Sequence, residues 1–299
     1  MYKRQDESRL LVYKKNNVNG LINKSIQTME DTIQLRDGNQ IPSVGFGVFL
    51  IPDEMVVEPV CAAIRLGYRH IDTASIYRNE RGVGQAIRDS GIDREDLFIT
   101  TKVWNDAQGQ TQTRQSCLDS LEKLQTPYLD CLLIHWPAPS RGLFLETWEE
   151  MIALRGDGLV RSIGVSNFHQ EHLETIIQAT GEIPVINQIE CHPWLQQNNL
   201  RQYHTSLGIV TESWSPLARG QLLEEPTLQS IAKKYQCSTA QIILAWHHHI
   251  GNLPVAKSVN PTRIKQNLDN KITLDEHDLK LIQSIEKGRR IGPDPCTMS

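Results

Sequence analysis

The chain has 299 residues, of which 39% are hydrophobic and 22% are charged, and its formal net charge is −4. This composition is typical of a globular protein with a large core, and the dispersed charges exclude the basic face of a nucleic-acid or anionic-membrane binder. No apolar stretch approaches the roughly 20 residues of a membrane span, and the N-terminus lacks the apolar centre of a secretory signal. Six widely spaced cysteines, with no Cys-x-x-Cys pair, predict free thiols and a cytoplasmic location.

Residues 1–30 differ in composition from the rest of the chain, because they are rich in Lys, Asn, Gln and Ser. We expect them to be a disordered leader or a non-native extension, with Met29 as the natural start. Residues 31–299 are expected to form a single catalytic domain. It opens with two short strands, at residues 32–35 and 40–41, which flank the tight-turn sequence Asp37-Gly38-Asn39 and predict a β-hairpin.

Short apolar runs then alternate with helical patterns, eight times. The predicted strands cover residues 44–49, 69–72, 97–101, 129–134, 160–165, 185–189, 209–211 and 253–256. The predicted helices cover residues 53–66, 80–89, 111–124, 146–155, 169–179, 199–207, 227–235, 239–250, 261–268 and 275–287. Near-continuous apolar strands alternating with helices are typical of parallel sheets buried on both faces. The predicted fold is an α/β (β/α)8 TIM barrel, with the hairpin capping its closed end and extra helices near the C-terminus.

Polar and aromatic residues stand where these strands end, and in a parallel barrel all those ends open onto one face. The strand-end residues are Phe49, Asp72, Lys102, His135, Ser166, Asn167, Gln188, Trp214, Lys257 and Ser258, and Tyr77 follows the second strand closely. Taken singly, each has an ordinary explanation, such as a helix cap for Asp72, a surface position for Lys102 or packing for Tyr77. Together, a tyrosine beside a lysine, with an acid and a histidine nearby, can deliver a proton to a carbonyl. The pattern therefore predicts a carbonyl reductase.

Two further motifs suggest ligand sites but fit them poorly. Gly45-x-Gly47 approaches a dinucleotide-binding fingerprint, but no third glycine opens a following helix. Three consecutive histidines, His247 to His249, diverge by about 100° each on a helix and do not form one tridentate face. We expect a packed or solvated helix end there and predict no metal site.

Five ordered blocks make the family resemblance specific. They are residues 67–77 (GYRHIDTASIY), 132–137 (LLIHWP), 164–168 (GVSNF), 187–193 (NQIECHP) and 257–263 (KSVNPTR). Over about residues 32–295 the chain resembles the aldo-keto reductases, and more closely their bacterial 2,5-diketogluconate reductase-like branch. The resemblance implies reduction of aldehydes or ketones, including keto-sugars such as 2,5-diketogluconate, by a monomeric enzyme. The alternative is a non-catalytic, nucleotide-binding regulatory or structural member of the same fold.

The resemblance also implies roles for four catalytic residues. Tyr77 would be the general acid, and Lys102 would lower the pKa of its phenol from about 10 by favouring the phenolate. Asp72 would hold Lys102 charged and aimed, and His135 would orient the carbonyl as a neutral imidazole. Related steroid double-bond reductases carry a glutamate in place of this histidine, so His135 favours carbonyl reduction over alkene reduction.

The implied cofactor is NADPH, with NADH less favoured, held in an extended pose across the barrel mouth. Ser166, Asn167 and Gln188 would bind the carboxamide, and Trp214 would stack on the nicotinamide. The remaining cofactor residues are expected to be Ser215, Leu217, Lys257, Ser258, Val259, Arg263 and Asn267, with Lys257, Ser258 and Arg263 gripping the 2′-phosphate and Asn267 on the adenine. The chain departs from the family pattern at two positions: Ala256 replaces a proline before the loop that carries Lys257, and Gln266 replaces a glutamate before the adenine asparagine.

The substrate is expected to be a small carbonyl compound in an aromatic pocket. Phe49, Trp104, Trp136 and His192 are the predicted pocket residues, and Trp194 suits either a pocket or a structural position. The brief tail of residues 291–299 leaves little material for a selective lid. An intact set of Asp72, Tyr77, Lys102 and His135 favours an enzyme over a purely binding protein.

Overall fold

The computed structural model describes residues 32–298, and the predicted leader at residues 1–30 lies outside them. Eight parallel strands close into a barrel, following one another in chain order, with the eighth pairing with both the seventh and the first. They are β3 (Gly45–Gly47), β4 (His70–Asp72), β5 (Phe98–Val103), β6 (Leu129–Ile134), β7 (Val160–Ser166), β8 (Ile186–Glu190), β9 (Val210–Trp214) and β10 (Leu253–Ala256). The predicted α/β barrel is confirmed.

Ten α-helices lie among residues 32–298. They are α1 (Asp53–Leu66), α2 (Glu80–Asp89), α3 (Gln110–Leu124), α4 (Phe144–Gly156), α5 (Gln170–Thr180), α6 (Asn198–Leu207), α7 (Pro226–Lys234), α8 (Thr239–His249), α9 (Pro261–Leu268) and α10 (Glu276–Ser284). The main apolar core packs between the strands and the surrounding helices, and a second core joins α7, α8 and α10. No helix in this part of the chain is long and apolar enough to cross a membrane.

The predicted hairpin is present and covers the amino-terminal end of the barrel. Strands β1 (Thr32–Gln34) and β2 (Gln40–Pro42) pair antiparallel. The turn between them is bound to the start of β7, where Ser162 Oγ donates to Asp37 Oδ2 at 2.7 Å and Asn39 Nδ2 donates to Ser162 Oγ at 3.0 Å. The buried side chains of Leu35 and Ile41 join an apolar cluster inside the barrel. Because the hairpin closes this end of the barrel, a ligand can enter only at the opposite end.

The two glycines of β3 serve close packing of strands. A Cβ at Gly45 would lie 2.8 Å from His70 Nδ1, and one at Gly47 would lie 2.9 Å from Val255 Cγ1. Both distances are shorter than a side chain tolerates, so the barrel closes tightly at this seam only with glycine. This explains the Gly-x-Gly pattern without a phosphate-binding loop.

Candidate active site

A cavity of about 1200 Å³ opens at the carboxyl ends of the barrel strands. Its size exceeds the 300–1,000 Å³ usual for small-ligand pockets, which leaves room for a dinucleotide together with a substrate. Most of the predicted site residues line it: Phe49, Asp72, Tyr77, Trp104, His135, Trp136, Ser166, Asn167, Gln188, Trp214, Ser215, Leu217, Lys257, Ser258, Arg263 and Asn267. Lys102, His192 and Val259 are not in its lining.

Lys102 and Asp72 form a buried ion pair behind the cavity wall. Lys102 Nζ donates to both Asp72 carboxylate oxygens at 2.7 Å and to the carbonyl oxygen of Thr73 at 2.8 Å. Burial by itself would lower the pKa of Lys102, but Asp72 and then Tyr77 overcome that effect, and the pKa is raised. The ammonium is therefore permanently charged and fixed in one place.

Tyr77 stands between this ion pair and the cavity. It lies in a short 3-10 turn (Ser75–Tyr77) that directly follows β4, and its ring centroid is 5.2 Å from Lys102 Nζ. The sequence predicts that Lys102 lowers the pKa of Tyr77. In the structure burial raises that pKa more than Lys102 lowers it, and the charges of Asp72 and Glu212 add to the rise. Tyr77 accordingly carries its proton at neutral pH.

His135 lies beside Tyr77 and is electrically neutral. The two ring centroids are 5.7 Å apart, and Trp104 packs against the other side of the imidazole at 5.0 Å. Burial, helped by the charge of Lys102, holds the pKa of His135 well below its usual value. A neutral imidazole between two rings can donate or accept one hydrogen bond toward the cavity, which suits orientation of a carbonyl group.

The wall around these groups is aromatic, and one of the predicted pocket residues lies outside it. Phe49 packs on Tyr77 with centroids 5.0 Å apart, and Trp104 and Trp136 flank His135. His192 is instead fully buried away from the cavity, with its Nε2 3.0 Å from Glu190 Oε1. Trp194 also has a structural position, because its Nε1 donates to Glu225 Oε2 at 2.9 Å and its ring lies under Lys287 and Arg289.

Beyond the tetrad, the cavity continues past a set of polar side chains with fixed orientations. Asn167 Nδ2 donates to the His135 carbonyl oxygen at 2.9 Å, and Asn167 Oδ1 accepts from Trp214 Nε1 at 2.8 Å. Ser166 Oγ donates to the Gln188 carbonyl oxygen at 2.7 Å. The bond to Asn167 fixes the indole of Trp214, which belongs to the cavity lining and is a side chain on which a planar ring can stack.

The far end of the cavity is positively charged. Lys257 and Arg263 are exposed there, and neither side chain forms an ion pair with any residue in the range 32–298. Asn260 Oδ1 caps α9 by accepting the backbone N–H of Arg263 at 3.1 Å, which fixes the start of the helix. Two uncompensated cations at a helix start suit a phosphate group. The residues present therefore fit a phosphorylated dinucleotide.

Two buried titratable residues that the sequence did not indicate, Glu212 and His70, lie beneath the cavity and outside its lining. Gln188 Nε2 donates to Asp72 Oδ2 at 2.8 Å and to Glu212 Oε2 at 2.9 Å, so one amide bridges two buried carboxyl groups. His70 Nε2 lies 3.7 Å from Glu212 Oε1 and 3.0 Å from Thr100 Oγ1. Inward-facing residues of strands alternate, and Glu212 stands two positions before Trp214, which was the only signal available.

The C-terminal tail, which was expected to leave little material for a selective lid, contributes to the cavity. Pro293 and Met298 belong to the lining. The tail is anchored where β8 ends, because the Glu190 carboxylate accepts the backbone N–H groups of Ile291 and, at 3.1 Å, Gly292. His247 is buried, with its Nε2 3.5 Å from the Pro216 carbonyl oxygen, so the histidine run begins at a packed helix end.

Comparison with known proteins extends over nearly the whole described chain. The model of the aldo/keto reductase family matches residues 45–287. An aldo-keto reductase of Mycolicibacterium smegmatis is 48% identical over 272 residues, which span 91% of this chain and 99% of that protein. Methylglyoxal reductase DkgA of Escherichia coli is 45% identical over 266 residues, or 88% of this chain and 96% of that protein. A solved structure of a Gox0644 mutant in complex with NADPH is similar with a TM-score of 0.87 and 42% identity, covering 91% of this chain and 99% of that one.

Proposed function

This chain belongs to the aldo/keto reductase family, and we propose that it reduces small aldehydes and ketones to alcohols with NADPH. One observation carries the proposal: Tyr77 and His135 line one end of a cavity whose other end holds Lys257 and Arg263. Proton delivery and dinucleotide binding thus share one enclosed space. The NADPH complex of the similar Gox0644 mutant supports the choice of cofactor.

Bound NADPH would supply the hydride, because no side chain can. Ser166, Asn167 and Gln188 would hold the carboxamide of the nicotinamide, and Trp214 would cover its ring. Lys257, Ser258 and Arg263 would bind the 2′-phosphate, with Asn267 at the adenine. Of these, Lys257 and Arg263 supply charge that nothing else in the described chain neutralises.

Tyr77 would donate its phenolic proton to the carbonyl oxygen as the carbon is reduced. The Lys102 ammonium stabilises the phenolate that remains, since the two groups are close and shielded from water. Asp72 fixes that ammonium through two 2.7 Å hydrogen bonds. His135, neutral and lodged between Tyr77 and Trp104, would hydrogen-bond the carbonyl oxygen and so place it near the phenol.

The substrate class follows from the wall around these groups. Phe49, Trp104 and Trp136 form an apolar, water-poor enclosure with few fixed polar contacts, which suits small carbonyl compounds of varied structure. A similar protein is named methylglyoxal reductase. We therefore propose short oxo-aldehydes and open-chain keto-sugars, with 2,5-diketogluconate among the latter, as the compounds to test first.

The test is NADPH oxidation by the purified protein with methylglyoxal, 2,5-diketogluconate and simple aldehydes. Tyr77→Phe removes only the phenolic hydroxyl group, so we expect kcat to fall by about 10²–10⁴-fold while NADPH binding is retained. Tyr203→Phe, on the outer helix α6, is the matched control and should leave kcat unchanged. Full turnover by Tyr77→Phe would refute the general-acid role.

The same experiment separates the enzyme from a non-catalytic binding protein. If NADPH binds, as seen by quenching of tryptophan fluorescence, but no carbonyl compound is reduced, the protein is a nucleotide-binding member of the fold. The complete set of Asp72, Tyr77, Lys102 and His135 favours the enzyme, since binding alone does not require all four.

A further inference from the structure

We propose that Glu212 is a positioning residue of this active site, which orients Gln188 toward the cofactor and places a titrating carboxyl group beneath the Asp72–Lys102 pair. The proposal deepens the proposed reductase function and, for its kinetic part, rests on it. Glu212 is fully buried in the barrel interior on β9. It lines no cavity and touches no expected ligand, so its effect must pass through its neighbours.

The first neighbour is Gln188. Its Nε2 has two hydrogens, and their acceptors are Asp72 Oδ2 at 2.8 Å and Glu212 Oε2 at 2.9 Å. Because both hydrogens point to the floor, only the carbonyl oxygen of the Gln188 side chain is left for the cavity. That oxygen can accept a hydrogen bond from the amino group of a carboxamide. Glu212 thus determines which end of the Gln188 amide faces the cofactor.

The second neighbours are charged. The ionisable groups that face Glu212 come from three strands and the loop above them: His70, Asp72, Lys102, Cys131 and Tyr77. The Lys102 ammonium already donates hydrogen bonds to both Asp72 oxygens, so one cation would have to compensate the charges of two buried carboxyl groups. Glu212 Oε1 has no hydrogen-bond partner within residues 32–298. A buried carboxylate with neither a cation nor a full set of donors is unfavourable, and a protonated carboxyl group relieves that cost.

The protonation state of Glu212 follows from that arrangement. Burial first, and the charge of Asp72 second, raise the pKa of Glu212 to about 8. Burial lowers the pKa of His70 to about 4, so His70 does not supply a compensating charge at neutral pH. Glu212 is therefore neutral under the Asp72–Lys102 pair at pH 7, and becomes an additional negative charge there in alkaline solution.

The added charge should be detectable in the kinetics of the reverse reaction, which is the oxidation of the alcohol. Oxidation requires Tyr77 as the phenolate, so its rate rises with pH as the phenol ionises. At the pH where the phenol ionises, Glu212 is already ionised, and its negative charge raises the pKa of Tyr77. In Glu212→Gln, which keeps the shape and removes the charge, we expect this rise to move to lower pH. Glu150→Gln, a buried carboxyl group paired with Arg114 between outer helices, is the matched control and should not move it.

The orienting role needs a second variant, because the glutamine in Glu212→Gln still offers an acceptor to Gln188. Glu212→Met has no acceptor, which frees the Gln188 amide to rotate. We expect KM for NADPH to rise about tenfold, the loss typical of one hydrogen bond to a charged or well-placed partner, with a smaller change in kcat. If Glu212 had only a structural role, its substitution would change stability, but it would neither change KM more than kcat nor shift the pH profile of the rate.

A third measurement does not depend on activity. Because the proton on Glu212 is bound more tightly in the folded protein, the contribution of Glu212 to native stability should fall as pH rises from 4.5 toward 8. The free energy of unfolding of Glu212→Gln minus that of the wild type should therefore widen over this range. A constant difference, with overlapping pH–rate profiles, would overturn the titrating role, and an unchanged KM in Glu212→Met would overturn the orienting role. Absence of any reductase activity would instead refute the proposed function and leave the stability test in force.

Discussion

The buried pair of Lys102 and Asp72 shows how one residue can serve both catalysis and stability. Both side chains are almost fully buried, and each depends on the other for compensation of its charge. Removing one partner leaves an uncompensated charge in the barrel, which typically costs about 3–5 kcal/mol. Removing both partners leaves no such charge. Stability and activity should therefore respond differently to single and double substitutions.

We expect Lys102→Met to lower the free energy of unfolding by about 3–5 kcal/mol and kcat/KM by at least about 100-fold. The double variant Lys102→Met with Asp72→Asn should recover much of the stability, because no buried charge remains, but none of the activity. Urea unfolding and steady-state kinetics measure the two quantities. Equal losses of stability in the single and double variants would contradict the ion-pair explanation.

Cofactor selectivity is a second property of individual residues. Arg263 lines the cavity without an ion pair in the described chain, whereas Lys265 on the same helix pairs with Asp269 at 2.5 Å. We expect Arg263→Ala to raise KM for NADPH about tenfold and to leave KM for NADH nearly unchanged, since only NADPH has the 2′-phosphate. Lys265→Ala is the control and should change neither. Equal effects on both cofactors would remove Arg263 from the phosphate site.

Among the structural elements, the C-terminal tail departs most from expectation. Its shortness suggested that it leaves little material for a selective lid, and Pro293 and Met298 nevertheless line the cavity. A short segment can reach the site because Glu190, at the end of β8, binds two of its backbone N–H groups. The tail then passes directly over Trp214, the expected nicotinamide platform.

That path leaves no room for a side chain at Gly292. A Cβ there would collide with the Trp214 ring. We expect Gly292→Ala to displace the tail or the ring and to raise KM for NADPH and for the carbonyl substrate several-fold, with little change in global stability. Gly156→Ala is the matched control, because nothing lies within 4 Å of its new Cβ. Identical kinetic constants for the two variants would show that the tail does not shape the site.

At the scale of the whole molecule, buried histidines connect stability to pH. Burial lowers the pKa of His70 to about 4, of His248 to about 4 and of His204 to about 3. The folded protein keeps all three neutral at a pH where the unfolded chain, with a histidine pKa near 6.5, already protonates them. Their contribution to stability is therefore complete above pH 6.5 and is lost as pH falls toward 4.

We expect the free energy of unfolding to decrease steeply between pH 6.5 and pH 4. Each histidine contributes up to about 1.4 kcal/mol per pH unit over the range where only the unfolded chain is protonated. Denaturant unfolding at several pH values measures the slope. His204→Gln should reduce that slope, whatever it does to stability at neutral pH, and an unchanged slope would rule out His204 as a contributor.

The sequence by itself determined the order of elements and the strand-end residues. Helix α1 and strands β6 and β10 have the predicted bounds, because apolar periodicity and strand length are local properties of the chain. Strand β9 runs furthest beyond its prediction, to Trp214, since its polar residues Glu212 and Ser213 hide a buried strand from a hydropathy pattern. Asp72, Tyr77 and His135 could be named in advance because barrel topology brings successive strand ends to one face.

The tertiary structure alone decided which distant side chains meet inside the barrel. Gln188 and Asp72 are 116 positions apart, and their contact, like that of His70 with Glu212, exists only once the strands close into a ring. Burial is likewise a property of the closed barrel, and it reverses the predicted direction of the pKa shift of Tyr77. The tertiary structure also places His192 outside the cavity and puts two residues of the C-terminal tail in the cavity lining. Local patterns specify which residues reach the mouth of the barrel, whereas desolvation and closure determine the charge that each one carries there.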